Sequence, residues 1–114
     1  MADMEHPPRD PDGPLPSLFA HDPEMKGLVE FFLGELSKRV DAVRSAMADK
    51  DLDELRTLAH QLRGAAGGYG YPSVGLAAAA VEQALVQGMC DEAGLASKVN
   101  ELLELCERAA KPTA

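Results

Sequence analysis

The sequence predicts an all-α protein, an antiparallel up-and-down four-helix bundle with a short N-terminal segment capping it. Three observations lead there. Four stretches carry apolar residues at intervals of three and four, the period of a helix buried on one side. Helix-starting and helix-stopping residues bound them, and the links between them are short, which favours antiparallel neighbours. The composition is 46% hydrophobic but only 4% aromatic, without tryptophan, enough for a core and unlike a β-sandwich or barrel. At 114 residues the chain has room for one domain.

Five of the eight prolines fall between Met1 and Pro16, with acidic residues among them. Such a stretch neither buries much surface nor sustains a backbone ladder, so residues 1–14 are assigned to a disordered tail and residues 15–111 to the bundle. Leu15, Leu18 and Phe19 follow and are expected to close over one end of it.

Asp22-Pro23-Glu24 predicts the first helix start, with Asp22 as N-cap and Pro23 in the first helical position. Met25, Val29, Phe32, Leu36, Val40, Val43 and Met47 then form one apolar stripe, to about Ala48. Asp51, followed three residues later by Glu54, predicts a second cap and a helix to about Gly67, its inner face Leu52, Leu55, Ala59, Leu62 and Ala66. The run from Gly67 to Pro72 breaks it, Tyr69 and Tyr71 shaping its end. A third helix starts near Pro72 or Ser73, with Val74, Ala77, Ala78, Val81, Leu85 and Gly88 inward. After a turn at residues 88–91, Leu95, Val99, Leu102, Leu103 and Cys106 line a fourth, ending near Lys111.

Eleven Lys and Arg against nineteen Asp and Glu give a net charge of −8. That field opposes nucleic-acid binding and adhesion to an anionic membrane, and neither is expected. Cys90 and Cys106 form no disulfide framework and no metal-ligand spacing, which fits a reducing compartment. Neither a signal-peptide pattern nor a spanning apolar run is present, so a cytoplasmic location is expected. Cys106 lies on a core stripe and is expected to act as a small hydrophobe; Cys90, in a turn, has nothing nearby to activate it. His6 and His21 are expected to be solvated. Phe31 lies off the inner stripe and is expected to pack beneath Leu18 and Phe19, the other reading being an exposed apolar docking patch.

The second helix is less generic. With Leu55, Ala59, Leu62 and Ala66 inward, His60 points to solvent together with Arg56, Arg63, Gly64 and Gly67. A glycine inside a helix costs about 1 kcal/mol relative to alanine, yet one stands a turn after the histidine. Gly64 leaves the imidazole unshielded, and Arg63 is close enough to meet an anion beside it. Neutral imidazole is a nucleophile near pH 7, and a phosphoryl group on it would carry about two negative charges. A solvated histidine without a role is the bland alternative.

The run Ala59-His60-Gln61-Leu62-Arg63-Gly64-Ala65-Ala66-Gly67-Gly68-Tyr69-Gly70, with Leu76, Ala80 and Glu82 after it, resembles the signature of histidine-containing phosphotransfer (HPt) domains. That pattern is His-x-Leu-Lys-Gly, small residues, a glycine ten after the histidine, and a helix with an Ala…Leu-Glu motif. The resemblance implies that His60 is the phosphorylated histidine, that Arg63 replaces the usual lysine with a planar fork of the same charge, and that Gly64 gives access to the imidazole. Glu82 falls on the glutamate of the third helix, with Val81 where leucine is common; Gln83 receives no role. Arg56, Gly67, Glu82 and Phe31 are the candidate docking surface.

The implied function is a phosphorelay intermediate, passing a phosphoryl group between His60 and the aspartate of a response-regulator receiver domain. A hybrid sensor histidine kinase is the other implied partner, and a monomer is expected. With no nucleotide loop of the GxxxxGK[ST] kind and no carboxylate cluster, neither kinase nor hydrolase activity of its own is expected, nor a cofactor of its own; Mg²⁺ is expected on the receiver. A stand-alone shuttle is favoured over an excised kinase domain. An adaptor bundle binding through the same helix face without phosphorylation is the main alternative. A metal or catalytic-histidine enzyme ranks third, because no second His, Cys or acid pair is spaced to join His60.

Overall fold

Two helices begin where the sequence offers a cap: the Asp51 carboxylate accepts the Glu54 N–H at 3.1 Å, and the Asp91 carboxylate accepts the Gly94 N–H at 2.7 Å. The computed structural model describes residues 15–88 and 91–111, and they form α1 (Lys26–Ala48), α2 (Leu52–Gly68), α3 (Pro72–Gln87) and α4 (Glu92–Ala110), with no strand among them. The helices make the expected four-helix bundle. Leu36, Leu55, Leu62 and Leu102 are fully buried at its centre, with Val43, Val74, Val81, Val99 and Cys106 around them.

α2 and α3 pack most closely. The face α3 turns inward is made of small residues, Gly75, Ala77 and Ala78 among them. At Gly75 an added Cβ would stand 3.5 Å from the Arg63 carbonyl oxygen and 3.7 Å from the Gly67 nitrogen, so the two backbones nearly touch. Glu82 follows Gly75 by seven residues, two turns along the same side of α3, and is carried against α2 by this contact.

A strap made by residues 15–20 crosses one end of the bundle. The Leu15 N–H donates to the Arg108 carbonyl at 2.9 Å, the Leu18 N–H to the Gly70 carbonyl at 2.8 Å, and the Ser17 hydroxyl to the Tyr69 carbonyl at 2.7 Å. Beneath it the Phe32 ring stacks on Tyr69 and Tyr71, with centroids 4.8 and 5.8 Å apart. On the α4 side Arg44 pairs with Glu107.

The structure departs from the sequence-based expectations at several points. α1 begins at Lys26, because Asp22 closes a separate turn in which its carboxylate accepts the Glu24 N–H and its carbonyl the Met25 N–H. Leu52 is exposed, and Leu58 takes the inner place instead: the packed face of α2 turns toward Leu58, and Leu52, at the helix's first residue, lines an open depression with Met47, Leu95 and Ala96. α2 also extends one residue further, to Gly68. In α3, Ala84 is buried, Leu85 only partly, and Gly88 is the exposed left-handed C-cap. Phe31 is 63% exposed and does not pack beneath Leu18, which is itself exposed; only Leu15 and Phe19 of that apolar group sit against the core. The tail residues 1–14, with His6, and Cys90 lie outside the described residues. His21 is exposed.

Burial, with a smaller push from Glu107, raises the Cys106 thiol from 9.0 to about 12. A raised pKa means the folded state keeps the neutral thiol while the unfolded chain ionises. The contribution of Cys106 to stability is therefore complete below pH 9 and is lost as pH rises from 9 toward 12. In a Cys90→Ser background the native protein should resist alkylation at pH 8.5, whereas the urea-unfolded chain should react at once; equal rates would show that the thiol is not buried.

Candidate functional site

His60 lies mid-way along α2, on the face opposite Leu55, Ala59, Leu62 and Ala66, and its side chain is 61% exposed. The helix needs no polar group there. Its inner side is closed against α1 and α3, and its outer side carries Arg56, His60, Arg63 and three glycines.

The neighbouring helix makes the site. Glu82, reaching across from α3, is only 12% exposed, and its Oε2 lies 2.7 Å from His60 Nδ1. A carboxylate only accepts, so the imidazole carries its proton on Nδ1 and donates it to Glu82. That tautomer leaves a lone pair on Nε2, the other ring nitrogen, on a largely exposed ring. The second carboxylate oxygen, Oε1, is buried and 3.2 Å from Arg63 Nη1. The pair lies off the hydrogen-bond direction, and Oε1 has no hydrogen bond among the described residues. Glu82 thus stands between His60 and Arg63, one oxygen for each.

Shallow depressions flank this trio. Asp53, Arg56, Thr57 and Gln61 line one with His60 and Glu82, while Ala79, Gln83, Val86 and Gln87 line the other with Arg63 and Glu82. Arg56 therefore shares a hollow with the imidazole, and Gln83 opens on the far side of Glu82. A Cβ at Gly64 or Gly67 would meet nothing within 4 Å, so both expose bare backbone beside His60 and Arg63. Arg63, expected alongside the imidazole, is there but engaged by Glu82. Phe31 is on α1, toward the C-terminal end of α2.

Two contacts were not anticipated from sequence. The hydrogen bond between Glu82 and His60 joins residues 22 apart, visible only once α3 is set in register on α2. Arg39 Nη1 donates to Gln61 Oε1 at 3.2 Å and ties α1 to α2 just beside the imidazole. The only hint in the chain was a glutamate and a histidine, each on a polar helix face.

The family model of the Hpt domain matches residues 27–111, well over half of the chain and all of α2, α3 and α4. The chain belongs to the Hpt domain family. An Hpt domain implies histidine phosphotransfer in two-component signalling, and such domains typically interact with receiver domains of response regulators and with kinases. No curated protein and no solved structure matches this Hpt domain. No helix among its described residues is long and apolar enough to cross a membrane.

Proposed function

We propose that this Hpt domain is a phosphoryl carrier in which His60 Nε2 accepts a phosphoryl group from the aspartyl phosphate of a receiver domain, and returns it to another. The observation that carries this is the Glu82 hydrogen bond, which holds the proton on Nδ1 and leaves Nε2 as the nucleophile on an exposed ring. In the transfer, the Nε2 lone pair forms the N–P bond while the P–O bond to aspartate breaks, and the aspartate leaves as a carboxylate. Nδ1 keeps its hydrogen. The ring therefore gains one positive charge, facing the Glu82 carboxylate, as the aspartate of a catalytic triad faces its imidazolium.

Arg63 is ion-paired with Glu82 and has five N–H donors to offer a phosphate oxygen; Arg56 stands one turn of α2 before His60. Gly64 leaves room for the partner to bring its aspartate in line. Transfer of this kind is positioning and charge neutralisation, usually with Mg²⁺. In this reading the receiver brings the acidic pocket and the Mg²⁺. The cytoplasm, where receivers act, is the compartment this function requires.

The test is to incubate the full chain with a panel of phosphorylated receiver domains and Mg²⁺, following acid-labile, base-stable phosphate on wild type and His60→Gln. Label on the wild type alone is the expected result. Label on His60→Gln as well would place the acceptor at another residue, and no label from any receiver would move the function to a non-phosphorylated adaptor.

A further inference from the structure

The four helices do not share the charge of the chain equally. α3 carries one charged residue in sixteen, Glu82, and that side chain is turned against α2. At 100° per residue, Leu76, Ala79, Ala80, Gln83, Val86 and Gln87 lie within about 80° of one line along the outer side of α3. Leu76 is 73% and Val86 57% exposed, both glutamines are exposed, and the two alanines between them are half-buried. The exposed residues of α1, by contrast, include Glu30, Lys38, Asp41 and Arg44, and those of α4 Glu101, Glu104 and Glu107. A helix without a charged side is one that neighbours cover all round. Here α2 and α4 cover the inner side alone.

Charge and shape together select the occupant of this uncharged strip. Two copies of a chain at −8 repel each other, and they do so least where each presents no charge. The strip has no ion to offer a charged peptide or a phosphate, and leaves none unpaired on meeting its own image. It is also complementary to itself. Leu76 and Val86 stand five residues to either side of Val81. A two-fold axis at that level, with the two α3 helices antiparallel, sets Leu76 against the partner's Val86, and Ala79, which is small, against the partner's Gln83, which is long. The rows Leu76–Ala80 and Ala79–Gln83–Gln87 follow the i, i+4 ridges that interdigitate at the common crossing angle of about −50°. Each glutamine amide both donates and accepts, so it can bond to an amide or a backbone group across the axis.

We infer that the outer side of α3 is a self-association surface, on which a second copy of this chain docks α3 against α3, antiparallel about a two-fold axis near Val81. This goes beyond the phosphoryl-carrier function and does not depend on it. Glu82 lies about 120° round α3 from Leu76, and the hollow it shares with His60 opens toward α2, so the imidazole stays open in the pair. A strip one helix wide and about 22 Å long covers less than the roughly 800 Å² per partner of a stable complex. Association is therefore weak, and the monomer is the dilute form.

Sedimentation equilibrium on the full chain, from about 5 to about 500 µM, reads the molar mass directly. The expected result is monomer at the low end and dimer at the high end. Raising the salt from about 0.05 to about 0.5 M should strengthen association, because it screens the repulsion and leaves the apolar contact. Leu76→Glu should weaken association at least about tenfold. The double variant Leu76→Glu, Val86→Lys should recover most of that loss, because the antiparallel pairing sets the two new charges opposite each other. Leu52→Glu, at an exposed leucine at the start of α2, should associate as the wild type does. Circular dichroism checks that each variant is folded. Monomer at every concentration, association that salt weakens, an equal loss in Leu52→Glu, or no recovery in the double variant would each overturn the assignment. A chain that stays monomeric, but whose Leu76→Glu variant takes up phosphate more slowly from a receiver, would give the strip to that partner instead.

Discussion

Glu82→Ala should lower the rate of phosphoryl uptake by His60 about 10- to 100-fold, the size of loss seen when the outer carboxylate of a functional histidine is removed. Two separate contributions are lost. One is orientation: without the Oε2 acceptor 2.7 Å away, the ring rotates and the proton is free to move to Nε2, which removes the nucleophile in that fraction of molecules. The other is charge, since the ring becomes cationic as the N–P bond forms. Glu82→Gln separates them, because its amide oxygen still accepts from Nδ1 but carries no charge. It should fall between wild type and Glu82→Ala. The fold should survive both, since His60 and Arg63 are each more than half exposed and neither is left as a buried unpaired charge. Single-turnover transfer from a phosphorylated receiver, with circular dichroism as the control, measures this; a wild-type rate in Glu82→Ala would show that the contact plays no part in transfer.

Gly70→Ala should be the most destabilising single-methyl addition in the described residues. Gly70 has φ +88°, where a residue with a Cβ is strained by about 1–3 kcal/mol. The new Cβ would also stand 2.3 Å from Ser17 Oγ, 2.8 Å from the Leu18 nitrogen and 3.0 Å from Phe19 Cδ2. The first of these is held by the Tyr69 carbonyl and the second is backbone, so neither swings aside. The strap must lift, and its hydrogen bond from Leu18 to the Gly70 carbonyl breaks. Strain and overpacking together amount to about 2–4 kcal/mol, a large part of the 5–15 kcal/mol typical of a domain. A melting temperature lower by about 10 °C or more is expected. At temperatures where the variant remains folded, His60 should still take up phosphate, since it lies ten residues before Gly70, half-way along α2 from the strap. Unchanged melting would mean that residues 15–20 do not close against Gly70.

What was legible in the chain was local. Asp51 with Glu54 marked the start of α2 because a cap is made by residues three apart, and the tertiary fold has no say in it. The stripe Val29, Phe32, Leu36, Val40, Val43 was legible for the same reason. Asp22-Pro23 carried the same local signal but closes a turn of its own, since an Asp side chain caps a turn as readily as a helix. Leu52 and Leu58 were exchanged because a helical stripe says which side is apolar, but not how far round the neighbours reach or where they stop. Phe31 stays clear of Leu18 and Phe19 because no local pattern sets the path of the strap, which runs over Gly70 and the end of α4.

By itself, then, the sequence determined the four helices, the bundle and the exposure of His60 on a glycine-bearing polar face, because helix period, capping and burial pattern act over a few residues. Only the tertiary structure decided that Glu82 stands between His60 and Arg63, and that Leu76 and Val86 lie uncovered on the outer side of α3. Both depend on the rotation and register of one helix against another. Those are set by side-chain packing across the core, at Gly75 against the Arg63 and Gly67 backbone and at Phe32 against Tyr69, between residues that no short-range pattern connects.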